Sequence, residues 1–212
     1  MEERAREKAE SESKDRKEAK PDPKAQYNFT DPESRIMKGS DEFVQGYNTQ
    51  VAVEPVFQLI VGQTVTQAAN DKQQLVPLIE AIQEQSGQRA EEVVADSGYC
   101  SEENLKYLAK RRMEGFVATK KQKHGERSEP CKRGPLPEDA SRVERMERKL
   151  KTKVGAAVYA RRKCMVEPVF GQIKQARGFR QFLLRGLEKI RGEWALICTT
   201  HNLLKFHKIC YE

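Results

Sequence analysis

The chain is expected to be α/β: a mixed sheet with helices on both faces, followed by a helical C-terminal part. Three observations predict this. Two β-branched and aromatic runs flank a Pro turn within 43–65. A short apolar run, Glu92–Ala95, lies between two amphipathic stretches. From 142 onward the apolar residues recur at helical spacing.

Residues 1–24 are almost wholly Glu, Lys, Arg, Asp, Ser and Ala, end at Pro21-Asp22-Pro23 and contain no aromatic residue. Such a segment is a solvated single helix or disorder, and no part of a core, so residues 1–26 are read as a linker and 27–208 as the domain. The runs 43–53 and 57–65 are expected to pair as an antiparallel hairpin around Glu54-Pro55. Asn70 then precedes Leu75, Leu78, Ile79 and Ile82, with a stop at Gly87, which reads as an N-capped helix strained or bent by Pro77. The strand Glu92–Ala95 ends at Asp96-Ser97-Gly98-Tyr99 and leads into a Ser101-capped helix carrying Leu105 and Leu108, and a further strand is expected at 115–119. Residues 120–140 read as a flexible loop. Helices are expected at 142–153, 156–176 and 187–207, the last with Leu187, Ile190, Trp194, Ile197 and Leu204 as a packing stripe.

The net charge of +7 is unevenly spread. Residues 141–212 hold seventeen Lys or Arg against six Glu and no Asp, a net +11, which leaves the rest of the chain acidic. A basic half of this kind favours a polyanion, most often nucleic acid, although a merely soluble basic protein has the same balance. The five cysteines are odd in number and form no C-x-x-C pair, so neither a disulfide framework nor a zinc knuckle is indicated. No apolar stretch approaches a membrane span and the N-terminus has no signal-like apolar core. The chain reads as cytoplasmic, with no membrane partner and no small-molecule substrate.

Two acids stand out. Asp96 follows an apolar strand and precedes a Gly, where α/β sheets present functional carboxylates, although an Asx turn uses the same residues. Glu167 belongs to the string Tyr159, Lys163, Glu167, Lys174, whose spacings of four, four and seven put a phenol, a carboxylate and two cations on one helical stripe, with Arg162 adjoining. An ion-paired surface helix would look similar. If functional, the two acids would share divalent cations in phosphoryl transfer, Arg162, Lys163 and Lys174 would grip flanking phosphates, and Tyr159 would pack on a sugar or base.

At these residues the chain closely resembles the DDE transposases of bacterial insertion sequences. The resemblance runs from Thr30-Asp31-Pro32-Glu33-Ser34-Arg35 through Gly46-Tyr47-Asn48-Thr49-Gln50, Ala95-Asp96-Ser97-Gly98-Tyr99 and Val166-Glu167-Pro168-Val169-Phe170-Gly171-Gln172-Ile173-Lys174 to Arg191-Gly192-Glu193-Trp194. It implies a ribonuclease-H-like catalytic domain, Mg²⁺ or Mn²⁺ as cofactor, and DNA, both element ends and target, as partner, with assembly into homo-oligomers. It also implies that Asp96 and Glu167 are the second and third acids of a metal-binding triad and that Tyr159, Lys163, Glu167 and Lys174 are the family's Tyr, Arg, Glu, Lys signature. Lys163 replaces the Arg, with Arg162 beside it, and Tyr159 lies one residue farther off than usual.

The family's first Asp lies on a first strand upstream of the charged segment. The resemblance therefore implies that this chain lacks that strand, that Asp and any preceding DNA-binding region, and is inactive as it stands. Asp31 and Asp41 are the nearest acids, both in turn-like contexts. The alternative is a DNA-binding remnant without catalysis that interferes with intact transposase. Lesser features have plainer expectations. His201-Asn202 reads as a core pair and Cys164 as incidental. Lys120, Lys121 and Lys123 read as a solvated charge run, and Asp71 as a first-turn helix acid.

Overall fold

The computed structural model describes residues 27–39, 42–121, 131 and 134–211. The segment 1–26, Asp41, Lys123 and much of the 120–140 loop lie outside the described residues. The architecture is mixed α/β, with strands paired two by two instead of joined in one mixed sheet. Strands β1 (Arg35–Lys38) and β2 (Phe43–Gly46) are antiparallel, as are β3 (Asn48–Val53) and β4 (Ile60–Thr66), while β5 (Glu92–Ala95) and β6 (Glu114–Val117) are parallel.

The expected 43–65 hairpin therefore splits. At Tyr47 the first run changes partner: its leading half pairs back onto β1 and its trailing half forward onto β4. The Tyr47 hydroxyl donates to the Asp31 carboxylate at 2.8 Å, which ties this change of direction to the chain sixteen residues earlier.

Helix α1 (Leu75–Ser86) begins after Gln74, which makes no side-chain cap, so Asn70 does not cap it. Pro77 falls in the first turn, where a missing N–H breaks no intrahelical bond, and so neither strains nor bends the helix. Helix α2 (Glu102–Lys110) is capped as expected, the Ser101 hydroxyl accepting from the Asn104 N–H at 3.1 Å. Glu102 and Glu103 occupy its first turn and Lys110 its last, each sign facing the complementary end of the helix dipole.

The C-terminal helices are more broken than their sequence period implies. α3 (Arg142–Lys151) opens with a Ser141/Glu144 capping box; α4 (Lys153–Ala160) is capped by Thr152; α5 (Arg162–Gly171) continues as one π turn, Gln172–Ala176; and α6 (Leu187–Tyr211) closes the described chain. Pro168 sits inside α5 and cannot bond the carbonyl four residues back. That carbonyl, on Cys164, accepts instead from the Gln58 side-chain amide at 2.8 Å.

Two apolar clusters result. The first joins Val51, Ile60 and Val65 of the β3–β4 pair to Val169, Ile173, Ile190, Trp194 and Ile197. The second joins Leu75 and Ile79 of α1 to Ala95, Leu105, Leu108, Met113 and Val117. α6 is docked on β4 by Asn202, whose side-chain oxygen accepts from the Ile60 N–H and whose amide donates to the Ile60 carbonyl, each at 2.8 Å. Its neighbour His201 is fully buried with Nε2 3.1 Å from the Gln58 carbonyl oxygen, so the pair is structural, as expected. Among the described residues no helix is long and apolar enough to cross a membrane.

Candidate DNA-processing site

Asp96 leaves the C-terminal end of β5, whose register against β6 ends at Ala95 opposite Val117. Its carboxylate turns back to accept the Gly98 N–H at 2.9 Å, forming the Asx turn that begins the short 3₁₀ segment Ser97–Tyr99. The turn reading and the functional reading therefore describe one conformation: the local bond fixes one carboxylate oxygen.

Asp71 faces the same turn. Its Oδ1 accepts from the side-chain amides of Asn48 at 2.6 Å and Gln50 at 2.8 Å, two residues two apart and hence on one face of β3. A Cβ on Gly98 would stand 2.8 Å from Asp71 Oδ2 and 3.1 Å from Asp96 Oδ1, so two carboxylate oxygens border one small volume and any side chain there would have to displace them. Buried Asn104 staples the two loops, donating to the Lys72 carbonyl at 2.6 Å and the Tyr99 carbonyl at 2.7 Å. Burial, then the Asp71 and Asp96 charges, push the Tyr99 phenol well above its ordinary pKa, so it remains protonated. The first-turn helix role expected for Asp71 is thus not what its side chain does.

Glu167 comes from α5. It lies 3.6 Å from the Arg162 guanidinium, whose carbon stands 5.9 Å from the centroid of the Tyr159 ring. The Tyr159 phenol is raised first by burial and then by the charges of Asp96 and Glu167, with Arg162 opposing. Arg162 Nε is buried without a hydrogen-bond partner, a donor aimed at no acceptor. Arg161, at the break between α4 and α5, reaches Glu92 of β5 at 3.8 Å. Lys174, on the π turn, holds its ammonium 5.3 Å from the Phe170 ring centroid.

A cavity of about 920 Å³ gathers these groups: Asn48, Gln50, Asp71, Asp96, Tyr99, Arg161, Arg162, Glu167 and Lys174 all line it. Lys163 is exposed and does not line it. The stripe read from the spacing is interrupted at Arg161, between Tyr159 and Lys163, and at the π turn, between Glu167 and Lys174; of its four residues Glu167 and Lys174 line the cavity and Tyr159 and Lys163 do not. Asp31 is spent elsewhere, on the Tyr47 hydroxyl and the Gly186 N–H. Lys120 pairs with Glu147 at 3.3 Å.

Carboxylate oxygens suit a hard divalent cation. Among the described residues, however, no three His, Cys, Asp or Glu side chains converge closely enough to hold one as a set. The groups that sequence reasoning missed are the side-chain amides of Asn48 and Gln50 and the Asp71 carboxylate that they hold. Their only local signal was the Gly46-Tyr47-Asn48-Thr49-Gln50 motif, with polar residues alternating on a strand beside an apolar core.

The family model described as a transposase DDE domain matches residues 15–203. No curated protein and no solved structure matches the chain.

Proposed function

The chain belongs to the transposase DDE domain family, and from that premise we propose that it is the DNA-cutting and DNA-joining part of a cytoplasmic insertion-sequence transposase, with a ribonuclease-H-like catalytic domain at residues 27–208. The observation that carries the reading is the shared cavity. Asp96 and Glu167, far apart in the chain, line one wall system together with Arg161, Arg162 and Lys174. Clefts that pair acids with cations in this way suit a phosphodiester, whose charge the cations hold while the acids face the reacting phosphorus.

Members of this family generally use divalent metal ions; Mg²⁺ or Mn²⁺ held by Asp96 and Glu167 would stabilise the attacking and leaving oxygens of phosphoryl transfer. The chain's own residues have separable parts. Arg162 and Lys174, both on the cavity wall, grip phosphates flanking the reacting bond. Exposed Lys163 holds a phosphate farther along the strand. Tyr159, kept neutral by burial and by the nearby acids, packs on a sugar or base. Element ends and target DNA are the substrates, and homo-oligomers the working assembly.

The test is a cleavage assay on duplex DNA carrying the inverted repeats that flank the gene, with Mg²⁺ or Mn²⁺. Nicking that is lost in Asp96→Asn and in Glu167→Gln supports the reading; nicking at full rate in both variants overturns it. A second reading, DNA binding without cleavage that interferes with an intact transposase, is favoured by the Arg162–Glu167 pairing and by the lack, among the described residues, of three converging carboxylates. Salt-dependent DNA binding with no nicking by the unaltered chain would select it.

A further inference from the structure

The segment between the π turn and α6 is held to an unusual degree. It is bounded by Gly178 and Gly186, both at left-handed φ of +75° and +85°. Three carboxylates grip its main chain. Glu193 accepts the N–H of Leu183 at 2.9 Å and that of Leu184 at 2.9 Å. Asp31 accepts the Gly186 N–H at 3.3 Å, and Glu33 accepts the Leu187 N–H at 2.9 Å. From inside, the Phe182 ring packs edge-on against Trp194 with centroids 6.2 Å apart.

All this order presents apolar side chains to water. Leu183 is 77% exposed and Leu184 47%. A flexible loop could fold two leucines away; this one cannot, because their backbone amides are committed to Glu193. Rigid exposure of adjoining large apolar groups marks a contact surface. The surrounding charge says of what kind. Residues 174–191 carry six Lys or Arg and one Glu, and Lys174, Arg180, Arg185, Lys189 and Arg191 are all exposed. Arg180 folds back on the π turn, donating to the Lys174 carbonyl at 3.3 Å and to the Gln175 side chain. Arg185, next to the leucines, has no partner among the described residues.

We propose that the 180–185 turn is a DNA-distorting contact, in which Leu183 and Leu184 press between or against bases while Arg185 holds a neighbouring phosphate. The inference rests on DNA being the partner of the adjoining cavity, and it adds an element beyond that cavity's walls. Apolar side chains unstack a base step, and the bent or opened strand is held by nearby cations. A pre-ordered turn loses little conformational entropy on binding, which suits it to distorting a stiff duplex.

The experiment uses the full chain and a short blunt duplex with 2-aminopurine one base from its end, where unstacking costs least. Binding of the unaltered chain is expected to raise 2-aminopurine fluorescence. Leu183→Ser with Leu184→Ser is expected to abolish that rise while affinity falls less than about ten-fold and the salt slope stays unchanged. Arg185→Ala is expected to lower affinity about three- to ten-fold and reduce the salt slope by about one. An equal fluorescence rise in the leucine variant overturns the proposal while leaving the DNA reading intact. So does a change from oligomer to monomer in that variant, by sedimentation, with DNA binding and fluorescence unaltered. No binding by the unaltered chain at any salt overturns both readings.

Discussion

The two apolar clusters differ in how far the chain travels to make them. The second is local: α1, β5, α2 and β6 follow one another within residues 75–117, and each supplies its share of the packing. The first is assembled from ends, joining β3 and β4 to α6, which lies about 140 residues later, through Asn202 on Ile60 and through Trp194, whose indole N–H reaches toward the Gln50 carbonyl. Asp96 hangs from the local cluster and Glu167 from the long-range one. The candidate site is therefore a seam, and its geometry is only as good as the docking of one cluster on the other.

The sharpest way to break the comparison is at its aromatic centre. Trp194 is buried between Phe170 and Phe182, and Trp194→Ala is expected to cost about 3–5 kcal/mol in denaturant unfolding, against about 2–4 kcal/mol for Leu108→Ala in the local cluster. α1 serves both halves, with Gly62 of β4 backed against Ile82, so both variants are expected to unfold in one transition. Two resolved transitions for Leu108→Ala would show that the clusters are independent units. Next is Asn202→Ala, which leaves the Ile60 N–H and carbonyl without their partner and is expected to cost about 2 kcal/mol, read from the same curves.

Gly98→Ala probes the seam itself. The added carbon would crowd Asp71 Oδ2 and Asp96 Oδ1, and is expected to weaken Mn²⁺ binding about ten-fold, measured by calorimetry, with a change in stability below about 1.5 kcal/mol. Undiminished Mn²⁺ affinity would separate the Asp71–Asp96 pair from metal binding.

The pH dependence sharpens the long-range side. Burial holds the His201 imidazole below its ordinary pKa, so the folded chain binds fewer protons in mild acid than the unfolded one. Stability that His201 contributes above the ordinary His range is accordingly lost as pH falls through it. Tm is expected to drop by about 2–4 °C between neutral and mildly acidic pH, and His201→Asn to flatten that drop. The smallest effect is at the surface of the site. Arg162→Gln breaks the pair of a half-buried Arg162 with an exposed Glu167 and, because it also removes the unpartnered buried Nε, is expected to change stability by less than about 1 kcal/mol, while lowering DNA affinity.

The local cluster was legible in the sequence. Glu92–Ala95 is a strand with the bounds read from its apolar run, Ser101 caps the following helix, and Asp96 stands where the strand ends, because each of these is decided within a few residues. The long-range side was legible only in part. The strand Arg35–Lys38 has no apolar alternation and exists because β2 pairs with it. Asn70 has a capping side chain but does not cap. Asp71 has the look of a first-turn acid, yet it is held by amides more than twenty residues away. The interruptions at Arg161 and the π turn are invisible to a period of four and seven, and of the four residues that period aligns only Glu167 and Lys174 line the cavity.

Helix α6 also dictates when the domain can close. Residues 71–117 can begin to pack as they leave the ribosome, because the buried members of that cluster have all been made, with Val143 and Met146 of α3 closing over it later. Ile60, Gln50 and the Asp31–Glu33 clamp have to wait until residues 186–202 emerge, so the β3–β4 pair spends most of synthesis with its apolar face uncovered. Such a nascent chain is a natural client for chaperones, and a stop codon shortly before α6 would leave the Asp96 turn formed on a domain that never finishes folding.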